Sequence, residues 1–136
     1  MERDAPTGDT LGEARQWLVR ADEDLTGANA MFERGDVAPR LACFLAQQAA
    51  EKALKARLIM RGVAFPRIHD LLALRALLPP GAPPGLGDVE LAALSAWAVE
   101  ARYPGDLPDA TATDARTAIV GARAILDVAR NELAGR

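Results

Sequence analysis

The sequence predicts an all-α protein, built as an antiparallel up-and-down bundle of about five helices, three of them long and two shorter. Half of the 136 residues are hydrophobic but only 4% are aromatic, so Ala and Leu, the strongest helix formers, supply most of the apolar content. Three long segments repeat apolar residues at intervals of three and four, which is the period of one helix face. Short stretches rich in Pro and Gly separate the segments, as expected for a bundle with short connections.

The first helix is predicted over residues 11–34, after a flexible tail at residues 1–10. Thr10 and Glu13 match the sequence pattern of a capping box, and Gly35 marks the end of the helix. The predicted core stripe steps by three and four in alternation; it consists of Leu11, Ala14, Leu18, Ala21, Leu25, Ala28 and Phe32.

The second helix is predicted over residues 39–61 and ends at Gly62. One ridge of it is almost entirely alanine, so another backbone can approach closely, and we expect the tightest contact of the core here. This ridge consists of Ala42, Ala46, Ala49, Ala53, Ala56 and Met60. The opposite arc is polar and consists of Gln47, Gln48, Glu51, Lys52 and Lys55.

Three further helices complete the predicted bundle, and residues 11–136 are expected to form a single domain. The third covers residues 70–78, and the fourth covers residues 88–101 and is broken by the Tyr-Pro-Gly run that follows. The last covers residues 111–133, with a stripe formed by Ala115, Ile119, Ala122, Leu126, Ala129 and Leu133.

The residue inventory excludes several kinds of site. With one histidine and one cysteine in the chain, a zinc site made of His and Cys clusters is excluded, and no metal or cofactor is expected. Cys43 lies in a helical run and is interpreted as a buried structural thiol. A polar start and the lack of an apolar run of about 18 residues predict a cytoplasmic protein that does not cross a membrane.

Charge is distributed unevenly along this acidic chain. The net charge is −3, yet residues 51–75 contain six basic and two acidic side chains. Such a local basic region can attract phosphate groups. Chance clustering on a solvated face explains the same composition, and the sequence leaves both interpretations open.

Lys52 and Lys55 are the first candidate phosphate ligands, with Gln48 and Glu51 as supporting residues on the same arc. In one interpretation the arc is the floor of a groove where the two lysines meet an anion. In the other, Glu51 and Lys55 form an ordinary i,i+4 pair on a solvated face.

The only histidine, His69, stands directly before the third helix, with Arg67 two residues earlier. Asp70 is expected to cap that helix. Imidazole and guanidinium groups beside a helix N-terminus are suitable for a phosphate contact. A packing or capping role for His69 is the alternative.

A third motif closes the fourth helix, where Arg102 and Tyr103 follow Glu100 and Ala101. Arg102 is a candidate for a bidentate phosphate contact, and Tyr103 is a candidate for stacking on a base. Both side chains are equally suitable for capping the helix and covering the core.

Taken together, the Gln-Ala-Ala-Glu-Lys-Ala-Leu-Lys stretch at residues 48–55, the His-Asp-Leu turn at 69–71 and the Ala-Arg-Tyr-Pro run at 101–104 resemble the HEPN family of small helical domains. The resemblance covers about residues 11–133. It implies a helical bundle that usually forms a homodimer and associates with nucleotides or RNA, frequently with a separately encoded minimal nucleotidyltransferase as its partner. Many relatives are toxins of toxin–antitoxin pairs and cut RNA without a metal.

The ribonucleases of that family use an Arg followed, after four to six residues, by a His, near the end of the fourth helix. Arg102 lies at about that place, but no histidine follows it, and Arg61 precedes His69 by one residue too many. Without the histidine the general acid/base of cleavage is missing, so enzymatic activity is not the favoured interpretation. If there is catalysis, His69 and Arg102 are the candidate residues.

Three hypotheses follow. The favoured one is a binding module in which phosphate ligands converge on one hollow; these are Lys52, Lys55, Arg67, His69, Arg102 and Tyr103. The second is a metal-independent ribonuclease toxin. The third is a structural domain that docks a nucleotidyltransferase and binds no ligand of its own.

Overall fold

A computed structural model describes residues 8–98 and 109–136 of the chain. The helices in these two ranges are α1 (Gly8–Arg34), α2 (Pro39–Met60), α3 (Leu71–Ala76), α4 (Asp88–Ser95) and α5 (Ala112–Ala134). The predicted all-α fold, with three long and two short helices, is confirmed.

The second helix lies at the centre of the bundle. It contacts α1, α3, α4 and α5, and its contact with α1 is the most extensive in the molecule. Every member of the predicted alanine ridge is buried, which agrees with the expected close approach of another helix. Nearly all of α2 beyond Ala49 is buried, on its polar side as well as its apolar side.

Two predicted helix ends are wrong. The first helix begins at Gly8, before Thr10, so Thr10 lies within the first turn and is not the N-cap residue. The fourth helix ends at Ser95 and does not continue to residue 101. There the chain tightens into i→i+3 hydrogen bonds, from the Trp97 amide to Leu94 O at 3.2 Å and from the Ala98 amide to Ser95 O at 3.1 Å.

The predicted ends of α1 and α2 agree with the structure. Gly35 follows α1 with a φ of 76°, and Gly62 follows α2 with a φ of 68°. This left-handed conformation favours glycine because a Cβ atom would clash there. At the start of α5, Thr111 and Asp114 form a capping box, with reciprocal hydrogen bonds of 3.1 Å and 2.8 Å.

A buried arginine connects α2 to the end of α5 and to the Pro- and Gly-rich loop at residues 79–85. Arg57 is fully buried; its Nε donates to Glu132 Oε1 at 2.6 Å and its Nη2 donates to Pro83 O at 2.8 Å. Arg61 donates to the same carboxylate at 3.1 Å. Burial alone would raise the pKa of Glu132, but hydrogen bonds from Arg61 and Arg57 and their positive charges outweigh it and lower the pKa to about 2.

Cys43 is buried in the core. Its burial raises the pKa of the thiol to about 11, and the negative charge of Asp114 contributes to this shift. The interpretation as a structural thiol agrees with this environment. Within the described ranges, every helix is too short or too polar to span a membrane.

The Arg57–Glu132 pair generates a prediction on stability. We expect Glu132→Gln to lower the free energy of unfolding by about 3 kcal/mol at neutral pH, because the charge of Arg57 is left buried and uncompensated. A carboxylate with a depressed pKa stabilises the fold above its ordinary pKa of 4.5, and this contribution is lost as the pH falls towards about 2. Urea denaturation at several pH values should therefore show the two proteins converging below about pH 4.

Asp127→Asn is the matched control on the same helix, since Asp127 is exposed and lies 3.9 Å from Arg130. Its effect should stay within about 0.5 kcal/mol. A loss for Glu132→Gln no larger than that of the control would contradict a stabilising role for the buried pair.

Candidate functional site

The loop between α2 and α3 crosses the polar arc of α2 and is anchored there by Gln47. This side chain is fully buried, and its Nε2 donates to the main-chain carbonyl of His69 at 3.0 Å. Gln48 in turn donates to Gln47 Oε1 at 2.8 Å. The two amides therefore hold the His69 main chain against the middle of α2.

Glu51 brings the candidate cations of this arc together. Its side chain is only 5% exposed, and its Oε2 accepts from Lys55 Nζ at 3.0 Å. The other oxygen, Oε1, lies 2.8 Å from Nδ1 of His69 and 3.5 Å from Nε2 of Gln47. The anion around which Lys55 and His69 converge is thus a carboxylate of the protein itself.

Lys55 is enclosed by aromatic rings as well as by Glu51. Its Nζ lies 5.6 Å from the centroid of the Trp17 ring on α1 and 5.8 Å from that of Phe65 in the loop. Both distances are within the range of cation–π attraction. The Lys55 ammonium therefore has three partners within the protein.

Lys52 is directed to a different partner. It forms an ion pair with Asp24 on α1, in which the two side chains are 24% and 21% exposed. Lys52 and Lys55 therefore do not share one anion in this structure. The predicted role of both lysines as phosphate ligands stays a prediction, and it requires that these internal pairs open.

The alternative interpretation, an i,i+4 pair on a solvated face, is correct about the pair but wrong about the solvated face. Glu51 and Lys55 do pair, but the pair is buried. The physical reason is tertiary: the loop that carries Phe65 and His69 folds back over this face of α2 and excludes water from it.

The start of α3 is closed by the protein's own groups. Asp70 caps the helix as predicted, accepting from the Leu72 amide at 3.0 Å and the Ala73 amide at 3.2 Å. The Leu71 amide donates to Ser95 Oγ at 3.0 Å. The first three amides of this helix are therefore occupied by acceptors of the protein, and a phosphate contact here would involve the side chains of Arg67 and His69, which stays a prediction.

The basic excess of residues 51–75 is largely neutralised by acidic groups elsewhere in the fold. Arg57 and Arg61 both pair with Glu132, and Arg75 pairs with Asp88. With the lysine pairs described above, these contacts account for every lysine and arginine of residues 51–75 except Arg67. It is exposed, and no residue of the described ranges forms an ion pair with it.

An open groove lies between α3 and α4. His69, whose side chain is 43% exposed, forms part of its wall. The residues that line the groove are His69, Asp70, Leu72, Ala92, Ser95, Ala96 and Ala98. The groove therefore combines a polar edge, at His69, Asp70 and Ser95, with a small aliphatic floor.

Arg102 and Tyr103 lie outside the described residues, as does Glu100. Their predicted part in the site is not tested. Ala98, the last described residue before them, lines the groove. Within residues 8–98 and 109–136, no group of three or more His, Cys, Asp or Glu side chains is placed to hold a metal ion.

Sequence reasoning missed the anchoring residues of this site. Gln47 was assigned to the polar arc but to no role, although it precedes Glu51 by one helical turn and is the more deeply buried of the two. No sequence pattern around Asp24 or Ser95 indicates a role in this site. The spacing of Gln47, Glu51 and Lys55 along one helix face is the signal that could have indicated a connected polar cluster.

Comparisons with known proteins agree on one family. The model of the HEPN domain matches residues 14–132. The crystal structure of TT1696 from Thermus thermophilus is 34% identical, covers 87% of this chain and 96% of its own, and superposes with a TM-score of 0.70. ST0689, described as an archaeal HEPN homologue, is 27% identical, covers 88% and 97%, and has a TM-score of 0.66. A comparison with curated proteins finds no match.

The buried pair of Glu51 and Lys55 leads to a prediction about the coupling energy between the two charges. We expect Glu51→Gln alone to destabilise the fold by about 3 kcal/mol, since Lys55 loses its carboxylate partner while remaining buried. Adding Lys55→Met should recover most of that loss, because both charges are then absent. Chemical denaturation of the two single variants and the double variant measures the coupling energy.

The exposed pair of Arg34 and Asp36, whose side chains are 67% and 64% exposed, is the control for this cycle. Arg34→Met and Asp36→Asn should show a coupling energy below about 1 kcal/mol. Additive effects at Glu51 and Lys55 would show that the two side chains do not interact.

Proposed function

The chain belongs to the HEPN domain family, and from that membership we propose that it is a nucleotide- or RNA-binding module whose ligand is contacted by Arg67 and His69 beside the α3–α4 groove. The observation that carries the proposal is which basic side chains form ion pairs within the protein and which do not. Within the described ranges, the other cations of residues 51–75 pair with carboxylates of the protein, whereas Arg67 is exposed two residues before the groove-lining His69.

The chemistry of the two side chains supports a ligand that carries phosphate. An exposed guanidinium can hold two phosphate oxygens at once, in a planar geometry that suits it better than an ammonium. The small aliphatic floor formed by Ala92, Ala96 and Leu72 leaves space for the flat face of a base or a sugar. A nucleotide would then lie along the groove with its phosphate towards Arg67.

Arg102 and Tyr103 enter the proposal from the sequence and the family resemblance. Arg102 follows Ala98, which lines the groove, at a distance of four positions along the chain. We include it as a second phosphate contact and Tyr103 as a residue that stacks on a base. In this scheme Lys55 stabilises Glu51, which contacts the His69 ring, and Lys52 joins α2 to α1 through Asp24.

The resemblance also supports a homodimer and a minimal nucleotidyltransferase as partner, in a two-component system similar to toxin–antitoxin pairs. Light scattering coupled to size exclusion measures the first. Co-purification with a nucleotidyltransferase that is encoded beside this chain tests the second. A monomer that does not bind such an enzyme would contradict both.

We expect Arg67→Ala to weaken binding of ATP or of a short oligouridylate about tenfold, which corresponds to the loss of one hydrogen bond to a charged group. Isothermal titration calorimetry at fixed salt measures the affinity, and salt must be fixed because phosphate contacts are screened. The absence of binding by the wild-type protein, to either probe, would overturn the proposal.

Arg20→Ala is the matched control, since Arg20 is an exposed arginine of α1, 3.9 Å from Glu23 and with a side chain 75% exposed. It should leave the affinity within about twofold of the wild type. Equal weakening by both variants would indicate general charge attraction without a site at Arg67. The double variant Lys52→Ala/Lys55→Ala is a poorer probe, because it also removes ion pairs that stabilise the fold.

A metal-independent ribonuclease is the second candidate function. The observation that favours it is the contact between Glu51 and the His69 ring at 2.8 Å, because a carboxylate that orients an imidazole is a common arrangement in general acid/base catalysis. Incubation with the same oligouridylate tests it. Cleavage products that disappear in His69→Ala would support catalysis, and an intact oligomer with the wild-type protein would exclude it for this substrate.

A further inference from the structure

We propose that Gln47 is a positioning residue of the ligand site, which holds the loop before α3 so that Arg67 stays at the tip of a tight turn. The inference rests on the binding function proposed above and adds the residue that keeps Arg67 in place for a phosphate. It is carried by the hydrogen bonds within this loop and between the loop and α2.

Arg67 is the central residue of a three-residue turn. The Ile68 amide donates to Pro66 O at 3.0 Å, and a bond between residues two positions apart defines a γ-turn. Among the described residues only glycines have a positive φ, so this is the inverse γ-turn, the common and less strained form. Pro66 adds a φ fixed at about −65°. The exposed side chain of Arg67 is therefore carried by a backbone of compact and defined shape.

Gln47 holds the end of this turn through an amide whose orientation is determined by its partners. Its Nε2 donates to His69 O at 3.0 Å and lies 3.5 Å from Glu51 Oε1, and its Oε1 accepts from Gln48 at 2.8 Å. A main-chain carbonyl only accepts hydrogen bonds, so the amide nitrogen must face it. Because Gln47 is fully buried, water does not compete for these bonds. The bond goes to a main-chain atom, so it does not involve the His69 ring.

The loop is attached to α2 on the other side of Arg67 as well. The Phe65 ring lies 5.8 Å from Lys55 Nζ, within the range of cation–π attraction. A turn that is attached before and after Arg67 has little conformational freedom to lose. A ligand that binds Arg67 therefore does not have to order this backbone first, and its affinity is higher for that reason. Gln47 contributes to affinity in this way although it is buried beneath the loop.

The order of the turn is measured in the wild-type protein by 15N relaxation. We expect the amides of Arg67 and Ile68 to have order parameters of about 0.85, the value of a rigid backbone. Values below about 0.6, as in a flexible loop, would overturn the proposal without any variant being made.

The variant Gln47→Met keeps the length of the side chain and removes its donor and its acceptor. We expect the order parameter at Arg67 to fall, whereas those in the middle of α5 should stay unchanged. Asn29→Leu is the matched control, because Asn29 Nδ2 also donates to a main-chain carbonyl, that of Leu25 at 3.2 Å, but within α1. It should leave the turn as ordered as in the wild type. Equal loss of order at the turn in both variants would contradict a specific role for Gln47.

Ligand titration separates positioning from a merely structural role. We expect Gln47→Met to weaken binding of ATP or oligouridylate about fivefold, and Asn29→Leu to leave the affinity within about twofold of the wild type. In an Arg67→Ala background, Gln47→Met should have no further effect, because the turn no longer carries the guanidinium. A loss that persists in that background would overturn the positioning role while leaving the proposed binding function intact. Absence of binding by the wild-type protein would overturn the proposed function, and with it the contribution of Gln47 to affinity.

Discussion

The buried carboxylate of Glu51 is the interaction on which the candidate site depends. A carboxylate that is almost fully removed from water is tolerated only where polar partners surround it, and here Lys55 and Gln47 donate to it and Nδ1 of His69 lies 2.8 Å from it. Two of these partners come from α2 itself, and the third comes from the loop before α3. The requirement to satisfy one buried charge therefore also determines where that loop lies.

Most basic residues of the segment 51–75 also meet carboxylates of the protein. Lys52, Arg57, Arg61 and Arg75 each meet a carboxylate on another element. The pairs of Lys52, Arg57 and Arg61 are partly buried and are therefore screened less by water than a surface ion pair, whereas the Asp88 partner of Arg75 is exposed. The charges thus join helices to one another, whereas Arg67 is exposed and His69 lines the groove between α3 and α4.

Membership of the HEPN family and the arrangement of these charges support different parts of the functional interpretation. The family match covers residues 14–132 and establishes what kind of domain this is. It does not by itself select the residues that bind a ligand. The proposed selection rests on the pairing of the described cations, in which Arg67 is exposed and forms no ion pair with a described residue, while Arg102 and Tyr103 lie outside the described residues.

The sequence by itself determined the helices and much of the core, because helix propensity, apolar periodicity and the positions of Gly and Pro are local properties. The alanine ridge of α2, the Asp70 cap and the ends at Gly35 and Gly62 all followed from neighbouring residues. The early end of α4 was missed, since apolar periodicity continues past Ser95 where the chain turns. Only the tertiary structure decided which charges meet: Asp24 with Lys52, Glu132 with Arg57, and Glu51 with His69. Ion pairs between residues far apart in the chain depend on how the helices pack. That packing cannot be read from the composition of the sequence or from the spacing of its residues.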